Sequence, residues 1–294
     1  MKNYPISSII VGTMRLGQWG QKMATKEMDS FIKECLEIDL VDFDHADIYG
    51  SYTTEAEFGK VLKQNSALRG QLRLTTKCGI KLISEHRSEH KVKSYDLSKA
   101  HIIASVETSL KNLNTDYLDT LLLHRPDYLM EPEEIAEAFT DLSKSGKVRF
   151  FGVSNFTKKQ FESLNTLTPL CTNQIEVSLL QREAFSNGSL TQAMQLGFRP
   201  TAWSPLGGGA LFAKEVPFAL KPLKNTLNQL CSNYNCSIDQ LLLAWLAKHP
   251  SGIVPVMGTS KIARLQKAKE AMDINITKED WYVLWQAATG KEID

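Results

Sequence analysis

This sequence has almost no net charge: 34 lysines and arginines stand against 33 aspartates and glutamates, leaving +1. A chain without a basic excess lacks the electrostatic footprint of a general nucleic-acid binder. Long apolar runs are missing as well. The longest, residues 241–247, falls far short of the roughly 20 residues that cross a bilayer. Ser7, Ser8 and Gly12 interrupt the apolar stretch near the amino end, so neither a signal-peptide core nor membrane attachment is expected, and the expected location is cytoplasmic. Cysteine is sparse. Cys35, Cys78, Cys171, Cys231 and Cys236 are odd in number, scattered, and form no C-x-x-C pair. They predict neither a disulfide framework nor a zinc finger, but small packed thiols in a reducing compartment. No G-x-G-x-x-G follows a candidate strand, because Gly12, Gly17 and Gly20 have the wrong spacing; a Rossmann dinucleotide site is disfavoured. No linker or charge block divides the chain, so residues 1–294 are expected to form one domain.

What is present is globular: 43% hydrophobic and 23% charged residues. Short β-branched runs fall at 8–11, 40–43, 72–76, 117–123, 148–153, 172–175, 199–202 and 252–256, each followed by an amphipathic stretch. Eight such repeats predict an α/β fold, a single (β/α)8 TIM barrel closed by parallel strands. An open doubly wound sheet is the alternative, since strand order is not written in one sequence. Ser98 precedes the helical stripe Ile102, Val106, Leu110 and Leu113; Pro132 with Glu133 and Glu134 suits a first turn that Gly146 later closes. Capping boxes are expected at Thr54/Glu57, Thr157/Gln160 and Ser237/Gln240. Trp281, Leu284, Trp285 and Ala288 predict an additional C-terminal helix packed outside the barrel. Two long connections, 79–97 and 206–222, suit lids or binding loops, although His86 and His90 in the first read most simply as solvated.

In a parallel barrel, side chains at the carboxyl ends of the strands converge on one mouth. Nearly every predicted strand delivers a polar or aromatic residue there. Strand two gives Asp44 and, after a short loop, Tyr49; strand three gives Lys77 and Cys78; strand four gives His124 and Arg125. Strand five gives Ser154 and Asn155, strand six Gln174, strand seven Trp203 and Ser204. A free tyrosine titrates near 10, too high for acid–base work at neutrality, but an adjacent ammonium favours its phenolate. Lys77 is placed to supply that cation, with Asp44 holding it and His124 adding a hydrogen bond. Such a tyrosine could protonate a carbonyl oxygen while hydride reaches the carbon. Trp203 offers a stacking face for a nicotinamide, and Ser154, Asn155 and Gln174 offer carboxamide-type hydrogen bonds. Gly258, Thr259 and Ser260 precede a predicted helix whose N-terminus suits a phosphate, with Arg264 one turn in. The glycines from Gly207 to Gly209 would let backbone approach a pyrophosphate. Trp19, in the first loop, is a candidate for the substrate pocket.

These segments resemble the aldo-keto reductase superfamily, most closely its short-tailed bacterial oxidoreductases. The motifs are F-D-H-A-D-I-Y-G (43–50), T-T-K-C (75–78), L-L-L-H-R-P-D (121–127), G-V-S-N-F (152–156), T-N-Q-I (172–175) and W-S-P-L-G (203–207), in family order. The resemblance implies a (β/α)8 barrel that binds NADP(H) without a Rossmann motif and reduces aldehyde or ketone carbonyls. Asp44, Tyr49, Lys77 and His124 would form the catalytic tetrad, with Tyr49 as general acid. Gly12, Thr13, Met14, Leu206, Gly207 and Lys267 would join Ser154, Asn155, Gln174, Trp203, Ser204, Gly258, Thr259, Ser260 and Arg264 around the cofactor. Many relatives carry lysine where Gly258 stands, and Glu-Asn where Lys267 and Ala268 stand, so NAD(H) is admissible; Arg264 favours NADP(H). A small-molecule carbonyl compound is the expected partner, and a monomer is expected by analogy.

Two other classes compete. The fold also serves nicotinamide-binding regulatory or sensory proteins with little turnover, against which the intact tetrad argues. Lys77 as a Schiff-base nucleophile would need a neutral amine, which Asp44 opposes. Asp42, Asp44, His45 and Asp47 could be misread as metal ligands, but strand alternation splits such neighbours between faces, and no metal is expected.

Overall fold

Strand alternation determines which side chains of this chain face inwards, and eight parallel strands set them around one axis. In the computed structural model, which describes residues 4–293, these are β1 (Ile10–Gly12), β2 (Asp42–Asp44), β3 (Arg73–Cys78), β4 (Leu118–Leu123), β5 (Val148–Ser154), β6 (Asn173–Glu176), β7 (Thr201–Trp203) and β8 (Val254–Met257). Each pairs in parallel with its neighbours in chain order, and β1 pairs with β8, Ile10 opposite Val256, so the sheet closes. Closure excludes the open doubly wound alternative. All eight expected strands are present, several displaced by a residue or two.

Alternation works out visibly on β2 and β3. Phe43 points to the helix layer and meets Phe58 at 5.6 Å between ring centroids. Its neighbours Asp42 and Asp44 therefore face the other way. Asp42 pairs with Arg73 towards the amino ends of the strands (2.7 Å), and Asp44 pairs with Lys77 towards the carboxyl ends (2.6 Å). A second ionic cluster joins Arg69 to Asp119 at 2.8 Å and Arg149 to Asp119 at 3.0 Å, with both guanidinium groups over the Tyr117 ring.

The helices form where their caps direct. Ser98 accepts the His101 N–H at 3.3 Å, and the Thr157/Gln160 and Ser237/Gln240 boxes are made. Pro132 opens its helix, and Gly146 follows it at φ 71°. The Thr54/Glu57 box is not made. The helix Thr54–Gln64 is capped by Thr53, which already has helical dihedrals, so Thr54 is a buried first-turn residue whose hydroxyl has no partner. This helix crosses Lys99–Leu113 at backbone contact: a Cβ on Gly59 would lie 1.9 Å from the Asn112 carbonyl oxygen. The last helix, Lys278–Thr289, packs outside the barrel. There Trp281 stacks on Trp245 at 4.8 Å, and each indole N–H donates to the other residue's carbonyl.

The connection after β3 folds as a small hairpin, Ile80–Lys81 against Ser94–Tyr95. The His90 side chain is not solvated as expected: it is 8% exposed and bonds the Leu82 carbonyl at 2.9 Å. The connection after β7 winds into two short 3-10 turns, Gly207–Phe212 and Phe218–Leu220. No helix among the described residues is long and apolar enough to cross a membrane.

Candidate active site

Lys77 lies at the centre of the barrel mouth with no exposed surface. An ammonium so buried must use all its donors. Its three go to Asp44 Oδ2 at 2.6 Å, the His45 carbonyl at 2.7 Å and the Tyr49 hydroxyl at 3.2 Å. Burial alone would lower its pKa, but Asp44 and Tyr49 reverse the direction and raise it, so Lys77 stays charged. A permanently charged Lys77 is a poor Schiff-base nucleophile.

Tyr49 reaches the cluster on a turn in which Gly50, Ser51 and Tyr52 all have positive φ (59°, 57° and 74°). Two of these are not glycine, and such strain concentrates at functional sites. The Tyr49 phenol departs from the sequence expectation. Burial raises its pKa more than the Lys77 charge lowers it, so the hydroxyl is protonated across the neutral range. The imidazole of His124 stands edge-on to Tyr49 at 6.1 Å between centroids. Burial first, then Lys77, Arg125 and Lys93, hold its pKa well below the usual histidine range, and its Nδ1 is buried without a partner. The four tetrad residues thus form one contiguous group: an ammonium fixed by a carboxylate, a protonated phenol and a neutral imidazole. Trp19 borders them, 40% exposed and 6.3 Å from the Tyr49 ring, with its indole N–H donated to Ser51.

A chain of hydrogen bonds ties this group to the far side of the mouth. Gln174 Nε2 donates to Asp44 Oδ1 (3.0 Å), and the Ser154 hydroxyl donates to the Gln174 carbonyl (2.9 Å). Asn155 Nδ2 donates to Ser154 Oγ (2.7 Å), and Trp203 Nε1 donates to Asn155 Oδ1 (2.9 Å). These bonds run from one residue to the next and fix the Trp203 ring. Asn155 and Ser204 hold their places with positive φ (59° and 50°). Thr13 likewise has its hydroxyl committed, to the Asp44 carbonyl and His45 Nδ1, both at 3.0 Å, while its neighbour Met14 is exposed at the rim. Gly12 packs tightly under the rim, where a Cβ would come 3.1 Å from Val256. His45 is buried against Phe58, and its pKa is lowered to about 3, chiefly by burial and then by Lys77.

The remaining residues form a separate arc on the loops after β7 and β8. Leu206 packs on both apolar cores, and Gly207, Gly208 and Gly209 all take positive φ (59°, 63° and 87°). Gly258 is open, with nothing within 4 Å of a Cβ placed there. The helix that follows Thr259 and Ser260, Ile262–Ala271, has no side-chain N-cap; the Arg264 N–H donates to the Lys261 carbonyl at 2.9 Å, while those of Ile262 and Ala263 meet no acceptor among the described residues. Arg264 and Lys267 are exposed on it. No set of three or more His, Cys, Asp and Glu side chains is arranged for a metal among the described residues. Cys78 is 1% exposed, with its thiol pushed far above the usual range by burial.

The sequence does not signal the burial of two acids, one of which, Asp47, it offers only as a metal ligand to be rejected. Asp47 and Glu55 lie behind Lys77, each with one unpartnered oxygen. Burial holds both above the usual carboxylate range, Asp47 with help from Glu55. Glu55 accepts from the Thr76 hydroxyl at 2.6 Å. In the sequence it looks like any acid in a first helical turn, and only alternation on β3, which turns Thr76 outwards, could have signalled it.

A protonated tyrosine, a caged lysine and a neutral histidine thus meet at the carboxyl mouth of a closed parallel (β/α)8 barrel. The aldo/keto reductase family model matches residues 8–287, and the chain belongs to that family. It is 42% identical over 295 residues to the uncharacterized oxidoreductase YcsN of Bacillus subtilis, covering 98% of this chain and 96% of that protein. It is 38% identical over 290 residues to a 6-dehydroglucose reductase of Agrobacterium fabrum, covering 98% and 96%. An aldo/keto reductase from Klebsiella pneumoniae, solved with NADP and acetate, superposes with a TM-score of 0.76 at 24% identity, over 95% of this chain and 90% of that one.

Proposed function

We propose that the chain is an NADPH-dependent reductase of aldehydes or ketones, with Tyr49 as its general acid. The observation that carries this reading is the Lys77 contact set, which joins Asp44, the His45 carbonyl and the Tyr49 hydroxyl in one buried cluster. The Klebsiella aldo/keto reductase bound NADP, and the residues here fit that group. The open Gly258 and the uncapped helix after it suit a phosphate, Arg264 suits the ribose phosphate, and the held Trp203 ring suits a stacked nicotinamide. When bound, the cofactor supplies hydride.

The protein's own part is to hold the carbonyl and deliver a proton. His124, neutral and edge-on to Tyr49, donates its ring N–H to the carbonyl oxygen without adding charge, and so orients it. Tyr49 keeps its proton at neutral pH and gives it to that oxygen as negative charge develops there. Lys77 then faces a forming phenolate at hydrogen-bond distance, and Asp44 keeps Lys77 charged and in place. The relative that reduces 6-dehydroglucose makes sugar-derived aldehydes the first substrates to try.

The test is NADPH consumption with a panel of aldehydes and ketones, wild type beside Tyr49→Phe. Turnover should fall at least 10²-fold, the lower contribution of a positioned acid, while cofactor affinity stays within about twofold. Weakened cofactor binding with preserved turnover would refute the assignment.

A further inference from the structure

We propose that Arg125 selects carbonyl substrates that carry an anionic group, such as a carboxylate or phosphate, close to the reacting carbon. The inference rests on the reductase reading and adds to it a substrate class. Arg125 directly follows His124 at the carboxyl end of β4 and is half-buried at the mouth. Among the described residues its guanidinium joins no ion pair and no hydrogen bond, and it lies 5.6 Å from the centroid of the Trp203 ring. The obvious carboxylate partner is occupied: Asp127 accepts from the backbone N–H groups of Leu129 (2.9 Å) and Leu97 (3.3 Å). A half-buried guanidinium with five uncommitted donors calls for an acceptor from outside the chain.

Position decides what that acceptor is. In the ring of eight strands, β4 stands opposite β8, whose loop carries Gly258 and the uncapped helix suited to a phosphate. The Arg125 backbone is therefore on the side of the mouth away from the cofactor's phosphates, and its guanidinium reaches to the Trp203 ring, which suits the nicotinamide end where a carbonyl would react. Arg125 directly follows His124, whose imidazole stands edge-on to Tyr49, where a carbonyl would be held. A planar fork of donors at this end of the mouth matches a planar carboxylate better than a neutral chain.

The experiment compares 4-carboxybenzaldehyde with its neutral methyl ester, methyl 4-formylbenzoate, for wild type, Arg125→Gln and Arg125→Lys. Wild type should prefer the acid in kcat/KM, and Arg125→Gln should shrink the acid-to-ester ratio by about 10–100-fold, as expected for one lost charge-assisted hydrogen bond. The change should appear mainly in KM for the acid, and Arg125→Lys should restore part of it. The same pair is titrated calorimetrically into the enzyme–NADP+ complex, which reads acid preference without turnover. If neither aldehyde is reduced yet the acid binds in an Arg125-dependent way, the reductase reading fails and the anion site stands. An equal loss for acid and ester in Arg125→Gln, or no acid preference in wild type by either readout, overturns the proposal.

Discussion

Asp44→Asn gives the sharpest test of the buried cluster. Asp44 offers one oxygen to each of two donors: Oδ2 to Lys77 Nζ at 2.6 Å and Oδ1 to Gln174 Nε2 at 3.0 Å. An asparagine has one oxygen and one NH2 group. Whichever way the amide is turned, the NH2 meets a donor, and Lys77 loses its only carboxylate while remaining fully buried. Breaking a buried ion pair from one side costs about 3–5 kcal/mol, because the other charge is left uncompensated. For a chain of 294 residues, an unfolding entropy of about 2.1 cal/mol/K per residue converts this to a drop of roughly 5–8 °C in Tm. Differential scanning calorimetry and urea unfolding of wild type and variant read it directly. The double variant Asp44→Asn/Lys77→Met removes the stranded charge and should recover most of the loss. A single variant within 1 kcal/mol of wild type, or a double variant less stable than the single, would refute the reasoning.

Two further outcomes follow from the cited groups. His45 is buried, with its pKa lowered to about 3, so in the folded state it resists protonation that the unfolded chain accepts. Its contribution to stability is therefore complete above the unfolded value near 6.5 and declines as pH falls towards 3. Between pH 6.5 and 5, wild type should lose about 2 kcal/mol more than His45→Gln in urea unfolding; equal losses would show that His45 titrates normally. Arg264→Ala should raise KM for NADPH by about 10-fold and leave KM for NADH within twofold, as steady-state kinetics would show. Parallel increases for both cofactors would remove Arg264 from the phosphate site.

Much of the barrel is legible because parallel strands are buried on both faces and read as short apolar runs. Leu118–Leu123 is buried at every position, and its sequence run is correspondingly plain. The mouth is legible for a related reason. Where an apolar strand ends in Lys77, His124, Asn155 or Trp203, a polar or aromatic group is delivered to a common rim. The Thr54/Glu57 box is not made because S/T-x-x-E spacing says nothing of the dihedrals of the preceding residue, which a strained turn has already made helical. His90 looked like a solvated loop residue because hairpin formation over Tyr52 is not a local property.

By itself, the sequence determined the alternation of strands and helices, the caps at Ser98, Thr157 and Ser237, and the order in which chemical groups reach the mouth. These depend on periodicity and on neighbours a few residues apart. Closure of the sheet, the direction of the Tyr49 shift, the mutual commitment of Gln174, Ser154, Asn155 and Trp203, and the uncommitted state of Arg125 were decided by the tertiary structure. Each depends on groups far apart in the chain, such as Asp44 and Gln174. Their energies also depend on how much water the fold excludes, and exclusion is a property of the assembled barrel, set by no single segment.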